Sequence, residues 1–233
     1  MAVIRQREVE FKLIAPSAGV LCRVPAVLKS WGFHLGPARR QRVRDVYLDT
    51  PDFRFYRAGL ACRLRIVDGA AALSLKTLAP QAGGLASREE CTEKLRRIPR
   101  SPIRRLPGTA IVARMDSRGR QTAVRVLFEL RQQRTTWKAR SAAGLDLAIS
   151  ADTVRFPDSR TWFYELELEL VRGNARSLRA IGRRLGRHLA LVPDKISKFE
   201  RGLKHSRLEM PPVPLRHHRD LAAGNAAELL GET

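Results

Sequence analysis

The chain has 233 residues, 44% of them apolar, which is enough to bury an independent hydrophobic core and excludes a disordered chain. Its 44 Lys and Arg residues outnumber its 23 Asp and Glu residues, and the resulting formal charge of +21 favours polyanionic ligands rich in phosphate. The three cysteines form no CxxC pair, and neither a long apolar run nor a signal peptide is apparent, so we expect a cytoplasmic protein without a disulfide framework or membrane span.

Charged and apolar residues alternate over residues 4–14, which predicts a strand with one charged face. The charged face carries Glu8, Glu10 and Lys12. A helix is predicted next, because apolar residues recur at helical spacing at Leu21, Val24, Leu28 and Trp31. Pro25 lies inside this pattern and is expected to kink or shorten the helix.

The same alternation predicts seven further strands. They lie at 40–50, in two strands within 60–78 that meet at Asp68-Gly69, and at 85–95, 123–137, 144–154 and 161–171. Residues 96–108, rich in Pro and Arg, are expected to form an irregular crossing. A second amphipathic helix is predicted over 174–191, with a buried stripe of Leu178, Ile181, Leu185 and Leu189.

About eight strands with few helices predict an α+β fold built on a closed antiparallel β-barrel with flanking helices. Several strands carry ionisable residues on alternate positions. If the apolar faces pack against helices outside, the charged faces line a wet tunnel inside. We expect this domain to span residues 1–204 and to be followed by a Pro- and His-containing tail or linker over 205–233.

The charged strand faces form a candidate metal and phosphate site. Glu8 and Glu10 project side by side from one strand, as hard divalent cations require, and a second acidic strip follows at Glu165, Glu167 and Glu169. The predicted strands also carry cations, namely Arg63, Arg65, Lys76, Arg88 and Arg134. Carboxylates could hold a metal and arginines phosphate oxygens, although an ordinary solvated, ion-paired barrel surface would show similar patterns.

Seven segments in register resemble the CYTH domains, also called triphosphate tunnel metalloenzymes, over about residues 3–204. They are EVEFK (8–12), VYLDTPDFRFYRAGLACRLR (46–65), LSLKT (73–77), GLASREE (84–90), LFELRQQRTTW (127–137), YELELEL (164–170) and PDKISKFERGL (193–203). Within the family, the last two segments are most similar to the bacterial inorganic triphosphatases. In those proteins the CYTH domain often precedes a CHAD domain, so such a domain is a conceivable partner beyond the carboxyl terminus.

The resemblance implies a role for each matching residue. Metal ligands for Mg²⁺ or Mn²⁺ would be Glu8, Glu10, Glu165 and Glu167, with Glu169 assisting. Substrate-binding residues would be Arg63, Arg65, Lys76, Arg88, Arg134 and Lys198, of which Lys198 would close one tunnel mouth. Lys12 would act in catalysis beside Glu8 and Glu10, by positioning phosphate or water rather than as a base, because a base would need a lowered pKa.

One position departs from the family pattern. Ser150 stands where an aspartate is usual, and Asp146 and Asp152 share its strand face, so either could substitute or the second metal could be weakened. Cys62 and Cys91 are expected to be buried apolar thiols.

The function implied is hydrolysis of inorganic triphosphate to diphosphate and phosphate. Alternatives are a non-catalytic polyphosphate-binding module and a CYTH enzyme acting on thiamine triphosphate or ATP. Nucleic acid is disfavoured, since no nucleic-acid-binding motif accompanies the positive charge. The residues leave open the oligomeric state, the metal and the physiological substrate.

Overall fold

The computed structural model describes residues 3–78, 83–100, 103–106, 111 and 122–211. The strands in this part of the chain are β1 Ile4–Ala15, β2 Phe33–Leu35, β3 Arg39–Asp49, β4 Leu60–Val67, β5 Ala70–Thr77, β6 Leu85–Leu95, β7 Arg105–Leu106, β8 Thr122–Ala123, β9 Arg125–Ser141, β10 Asp146–Arg155, β11 Trp162–Arg172 and β12 Val192–Pro193. The helices are α1 Ala18–Ser30, α2 Arg54–Arg57, α3 Ala175–Leu189 and α4 Lys198–Ser206. None of these helices is long and apolar enough to cross a membrane.

Eight antiparallel strands close into a barrel. Their order is β10-β11-β1-β6-β5-β4-β3-β9, and pairing between β9 and β10 closes the ring. Closure leaves these eight strands without an unpaired edge among themselves. The predicted barrel with flanking helices is therefore confirmed.

The register between β1 and β11 brings the two acidic strips together. Glu10 lies opposite Glu169, and Lys12 lies opposite Glu167. Directly opposed residues of an antiparallel pair project to the same face of the sheet, so these four side chains share the barrel interior.

The other face of β1 and β11 is apolar and is covered from outside. Phe11 and Leu13 are fully buried and belong to one cluster with Leu178 and Leu185 of α3. Close approach of α3 requires Gly182, because a Cβ there would lie 2.3 Å from Cδ1 of Phe11. The apolar stripe of α3 thus faces the barrel as predicted, with Ile181 only partly buried.

The tight turn between β4 and β5 consists of Asp68 and Gly69, as the sequence predicts. Both residues have positive φ, 49° and 80°, which is the backbone twist that two-residue hairpins require. The hairpin aligns Arg63 of β4 with Ser74 of β5.

The prediction that Pro25 would confine the first helix to a shorter piece is wrong, and a kink at Pro25 stays a prediction. Helix α1 contains Pro25 and continues to Ser30. A proline inside a helix costs about 3 kcal/mol, whereas each fully buried Leu or Val contributes about 1.5–3 kcal/mol. The helix buries Leu21, Val24, Val27 and Leu28 against the barrel, so packing outweighs the backbone penalty.

The structure describes only parts of two segments that were predicted to be irregular, namely the 96–108 crossing and the 205–233 tail. In the 96–108 crossing, the described residues include the short strand β7, which pairs with β8. Of the predicted tail, residues 205 and 206 complete α4, and residues 212–233 lie outside the described chain.

Candidate active site

The barrel interior contains a cavity of about 290 Å³ with a highly charged lining. Its charged residues are Glu8, Glu10, Lys12, Arg63, Arg65, Lys76, Arg88, Glu90, Arg134, Glu167, Glu169 and Lys198. The structure thus brings eleven of the twelve predicted site residues to one cavity. The twelfth, Glu165, is fully buried and contacts Lys198.

On the β1 side, Glu10 lies among three cations without a close bond to any of them. Its Oε1 is 3.5 Å from Nζ of Lys12, 3.9 Å from Nζ of Lys76 and 4.0 Å from Nη1 of Arg88. That oxygen is buried and has no hydrogen-bond partner within the described chain. Lys76 instead bonds to Glu8. Because a buried carboxylate oxygen without a hydrogen bond is costly, this position favours an added cation or donor.

Beside this group, on the neighbouring strands β10 and β11, three carboxylates surround the ammonium of Lys198. Its Nζ is 3.1 Å from Oδ2 of Asp152 and 3.0 Å from Oε1 of Glu167, and it also bonds to Oε1 of Glu165. One ligand oxygen from each carboxylate lies within 4.8 Å of the others, so within the described residues this trio could share one cation. Hard oxygen donors of this kind suit Mg²⁺, Mn²⁺ or Ca²⁺.

The three residues at the departure from the family pattern, Asp146, Ser150 and Asp152, lie in different surroundings. Asp152 is fully buried and lies opposite Glu165, while Ser150 lines the cavity opposite Glu167. Asp146, at the start of β10, pairs with Arg140 at 3.2 Å instead. Of the two aspartates that share this strand face, Asp152 thus lies beside Glu165 and Glu167, whereas Asp146 does not.

Arg134 and Lys12 connect the trio to the rest of the interior. Arg134 donates two hydrogen bonds to Asp152, at 2.7 and 2.6 Å, and a third to Glu167 at 2.9 Å. Lys12 lies 3.1 Å from Glu167. These paired charge-assisted bonds hold the β9, β10 and β11 side chains in fixed positions.

The arginines of β4 are held by carboxylates that our sequence-based prediction missed. Arg65 forms two bonds of 2.8 Å to Asp45, which also accepts a 2.6 Å bond from Gln132. Arg63 donates a 2.9 Å bond to Glu90. Asp45 is fully buried on β3, where an isolated Asp gives no sequence signal of its own.

Helix α4 places Lys198 at the cavity. A reciprocal capping box between Ser197 and Glu200 fixes the start of the helix one residue before Lys198. Gly202 of the same helix lies against the ring of Phe128, so the helix approaches the barrel closely. Ser197, Lys198 and Phe199 all line the cavity, and the first turn of α4 is therefore part of its wall.

The interior charges shift the protonation equilibria of the lysines and glutamates. Burial would lower the pKa of Lys12, but Glu10 and Glu167 outweigh it and raise the pKa above its usual value. Burial and, to a smaller extent, the neighbouring Glu90 raise the pKa of Glu8 to about 7, although Lys76 opposes the shift. A lysine with a raised pKa stays protonated, so the electrostatics of Lys12 suit charge positioning and not proton abstraction.

The pKa of Lys198 is likewise raised well above its usual value, because Glu165, Glu167 and Asp152 outweigh the opposing effect of burial. Burial raises the pKa of Glu165, and Lys198 opposes that shift. We take Glu165 as ionised beside this permanent cation, since protonation would remove one of the charges that stabilise a fully buried ammonium.

The interior is close to electrically balanced. Its seven cations face five lining carboxylates and three more, Asp45, Asp152 and Glu165, that bond to those cations. The formal excess of +21 must therefore lie elsewhere in the chain. Helix α3 carries part of it on exposed arginines, at Arg176, Arg179, Arg183, Arg184 and Arg187.

Comparison with solved structures shows the same fold. HpAC1 from Hippeastrum, described as a candidate adenylyl cyclase with a dominant triphosphatase activity, is 19% identical with a TM-score of 0.62, over 88% of this chain and 98% of that one. A candidate adenylate cyclase from Bacillus halodurans is 18% identical with a TM-score of 0.54, over 84% and 97% of the two chains. The PH1819 protein from Pyrococcus horikoshii is 17% identical with a TM-score of 0.51, over 85% and 99%.

A search of curated proteins gives no match. The sequence model of the CYTH domain, in contrast, matches residues 6–203, which is most of the chain. The match contains both acidic strips, the β4 arginines and Lys198, all of which meet in or beside one cavity. The chain belongs to the CYTH domain family.

Proposed function

We propose that this protein hydrolyses a phosphoanhydride bond of a triphosphate inside the barrel, with inorganic triphosphate as the substrate and Mg²⁺ or Mn²⁺ as the cofactor. The observation that carries the proposal is the cavity itself, in which seven cations and five carboxylates converge from strands all around the barrel and from α4. A cavity that only bound phosphate would not need the carboxylates, whereas a metal-bound triphosphate uses both signs of charge.

The carboxylates on the β1 side fit a divalent ion. Glu10 presents a buried oxygen without a hydrogen bond, Glu8 lies two residues away on the same strand face, and Glu169 lies directly opposite Glu10. We assign the metal to Glu8, Glu10 and Glu169, with Glu167 adjacent. When bound, an ion held by these residues would supply positive charge against the phosphate oxygens.

The cations provide sites for the oxygens of the phosphate chain. Arg63 and Arg65 are aimed by Glu90 and Asp45, so their guanidinium groups need little reorganisation to accept an anion. We assign phosphate binding to these arginines together with Lys76, Arg88 and Arg134. Lys12 remains charged and orients the terminal phosphate, and this accounts for catalysis without a nucleophilic side chain.

The size of the cavity favours inorganic triphosphate over a nucleotide. At about 290 Å³ it lies at the lower end of the range for small-ligand pockets. Its aromatic lining residues, Tyr47 and Phe199, are themselves about 95% buried in an aromatic cluster and present little ring surface for a base to stack on. The description of HpAC1 pairs a cyclase name with a dominant triphosphatase activity, so ATP belongs in the assay as a competing substrate. Thiamine triphosphate is included as the other substrate that the family resemblance of the sequence implies.

The test measures phosphate release from tripolyphosphate, ATP, thiamine triphosphate and long-chain polyphosphate, each with Mg²⁺ or Mn²⁺. We expect fastest release from tripolyphosphate and its loss on chelation of the metal. Glu10→Gln should abolish turnover, while Glu89→Gln, at a half-exposed position on the face of β6 that points away from the cavity, should not. Tight binding of polyphosphate without release from any substrate would overturn the proposal in favour of a binding module.

A further inference from the structure

The Asp152–Glu165–Glu167 trio already surrounds a positive charge, which is the ammonium group of the Lys198 side chain. The ammonium of Lys198 contacts all three carboxylates and is about 95% buried. The trio adjoins Glu10 through Lys12, whose Nζ lies 3.1 Å from Glu167 and 3.5 Å from Glu10, but Lys198 has no ion pair with Glu10 among the described residues.

Charge matching explains why the trio needs Lys198. Three carboxylates carry three negative charges into a buried place, and their partners there are three positive side chains, Lys198, Arg134 and Lys12, of which Lys12 is shared with Glu10. Adding a divalent ion to this balanced set would leave two uncompensated positive charges where solvation is weak. Removing the Lys198 charge leaves one uncompensated negative charge, a deficit that a divalent ion can cover.

The spacing of the oxygens also suits a metal. Ca²⁺ binds oxygen at about 2.3–2.6 Å, so two ligands on opposite sides of the ion lie about 5 Å apart. The trio's oxygens lie within 4.8 Å of one another, and Mn²⁺ or Mg²⁺ would need a modest contraction. In addition, Oε2 of Glu165 is buried without a hydrogen bond in the described chain, and so can serve as a further ligand.

We propose that Lys198 is a built-in replacement for a second divalent cation, so that the trio binds a metal ion only when the Lys198 ammonium is removed. In this arrangement α4 supplies the positive charge through a side chain, so the trio needs no free metal ion to balance its negative charge. The inference concerns cation occupancy and does not depend on which substrate the protein hydrolyses.

The test compares Mn²⁺ binding stoichiometry, by titration calorimetry and by the electron paramagnetic resonance signal of free Mn²⁺, at pH 8 where carboxylates are ionised. We expect Lys198→Met, which keeps the side-chain length without the charge, to bind one more ion per chain than wild type. Lys204→Met, on the exposed side of the same helix, should leave the stoichiometry unchanged. The double variant Lys198→Met/Glu165→Gln should lose the additional ion.

Equal stoichiometry in wild type and Lys198→Met would overturn the inference, as would an additional ion that survives Glu165→Gln. If Lys198→Met unfolds without metal, the inference requires Mn²⁺ or Ca²⁺ to restore the fold, measured by far-ultraviolet circular dichroism and thermal unfolding. Failure of both ions at millimolar concentration to restore it would also overturn the inference. Because binding is counted without turnover, an inactive wild-type protein would contradict the proposed function and leave this measurement intact.

Discussion

Gly202 lies directly against Phe128: a Cβ built at Gly202 would be 2.0 Å from Cε2 of the phenylalanine ring. The contact decides how closely α4 approaches β9, and hence where Lys198 enters the barrel. Gly202→Ala should therefore destabilise the fold although alanine is the better helix former. An approach of 2.0 Å is severe enough to place the cost of overpacking at the top of its usual range, about 3 kcal/mol. Helix propensity returns about 1 kcal/mol, so we expect a net loss of about 2 kcal/mol in urea unfolding.

A matched control is available in α1. The nearest atom to a Cβ at Gly19 is Oγ of Ser17, at an ordinary 3.7 Å. Gly19→Ala should therefore leave the free energy of unfolding within about 1 kcal/mol of wild type. Equal effects of the two substitutions would show that the Gly202 contact does not constrain α4.

Lys12→Met should lower kcat/KM for tripolyphosphate at least tenfold, because it removes the buried positive charge that, in the proposed function, contacts the terminal phosphate. The loss should be the same from pH 6 to pH 9, since the raised pKa keeps Lys12 protonated throughout that range. A steady-state pH profile checks both points. Wild-type activity that rises with pH in a way that Lys12→Met abolishes would assign Lys12 the role of a base instead.

Asp45 makes stability depend on pH. Burial would raise the pKa of this carboxyl, but Arg65 outweighs burial and holds the pKa well below its usual range. A carboxyl whose pKa is lower in the folded protein stabilises it above the unfolded value, about 3.9, and loses that contribution as pH falls further. Asp45→Asn should therefore cost about 3 kcal/mol at pH 7 by leaving Arg65 unpaired.

The difference between wild type and Asp45→Asn should shrink below about pH 4, where the wild-type carboxyl begins to take up a proton. Urea unfolding at a series of pH values measures it. A difference that is constant between pH 3 and pH 7 would mean that the Arg65 pair contributes no pH-dependent stability.

The three thiols should differ in reactivity. Cys22 is exposed on α1, whereas Cys62 and Cys91 are buried in the barrel wall, as the sequence predicts. Burial also raises the pKa of the Cys62 thiol and so suppresses its thiolate form. Ellman's reagent should titrate one thiol per native chain and three in denaturant; rapid reaction of more than one would contradict this packing.

The alternation of charged and apolar residues was sufficient to predict the barrel and its charged interior. It works for β1 and β11 because one face of each strand meets the cavity and the other meets α3. The pattern fails for Pro25, where a local backbone rule is outweighed by tertiary packing that no short window of sequence contains.

The partners of the charged residues could not be predicted in the same way. Asp45 and Asp152 reach Arg65 and Arg134 only through the register of β3, β4, β9 and β10, which is set when the barrel closes. Gly202 gives even less signal, because a glycine in a helix has meaning only once its neighbour across the interface, Phe128, is known. The roles of the site residues, including those of Glu8 and Glu169, stay predictions until the variants are measured.

Because the barrel interior is nearly neutral and the excess positive charge lies elsewhere, added salt should affect the attraction of an anionic ligand and the geometry of the cavity differently. Mobile ions screen exposed charges beyond about 10 Å at 0.1 M, so the attraction that draws an anion from bulk solvent toward arginines such as those of α3 weakens as salt is added. Pairs sealed within the wall, such as Arg134 with Asp152, are shielded from those ions. Raising ionic strength should thus slow the arrival of an anionic ligand while leaving the geometry that receives it unchanged.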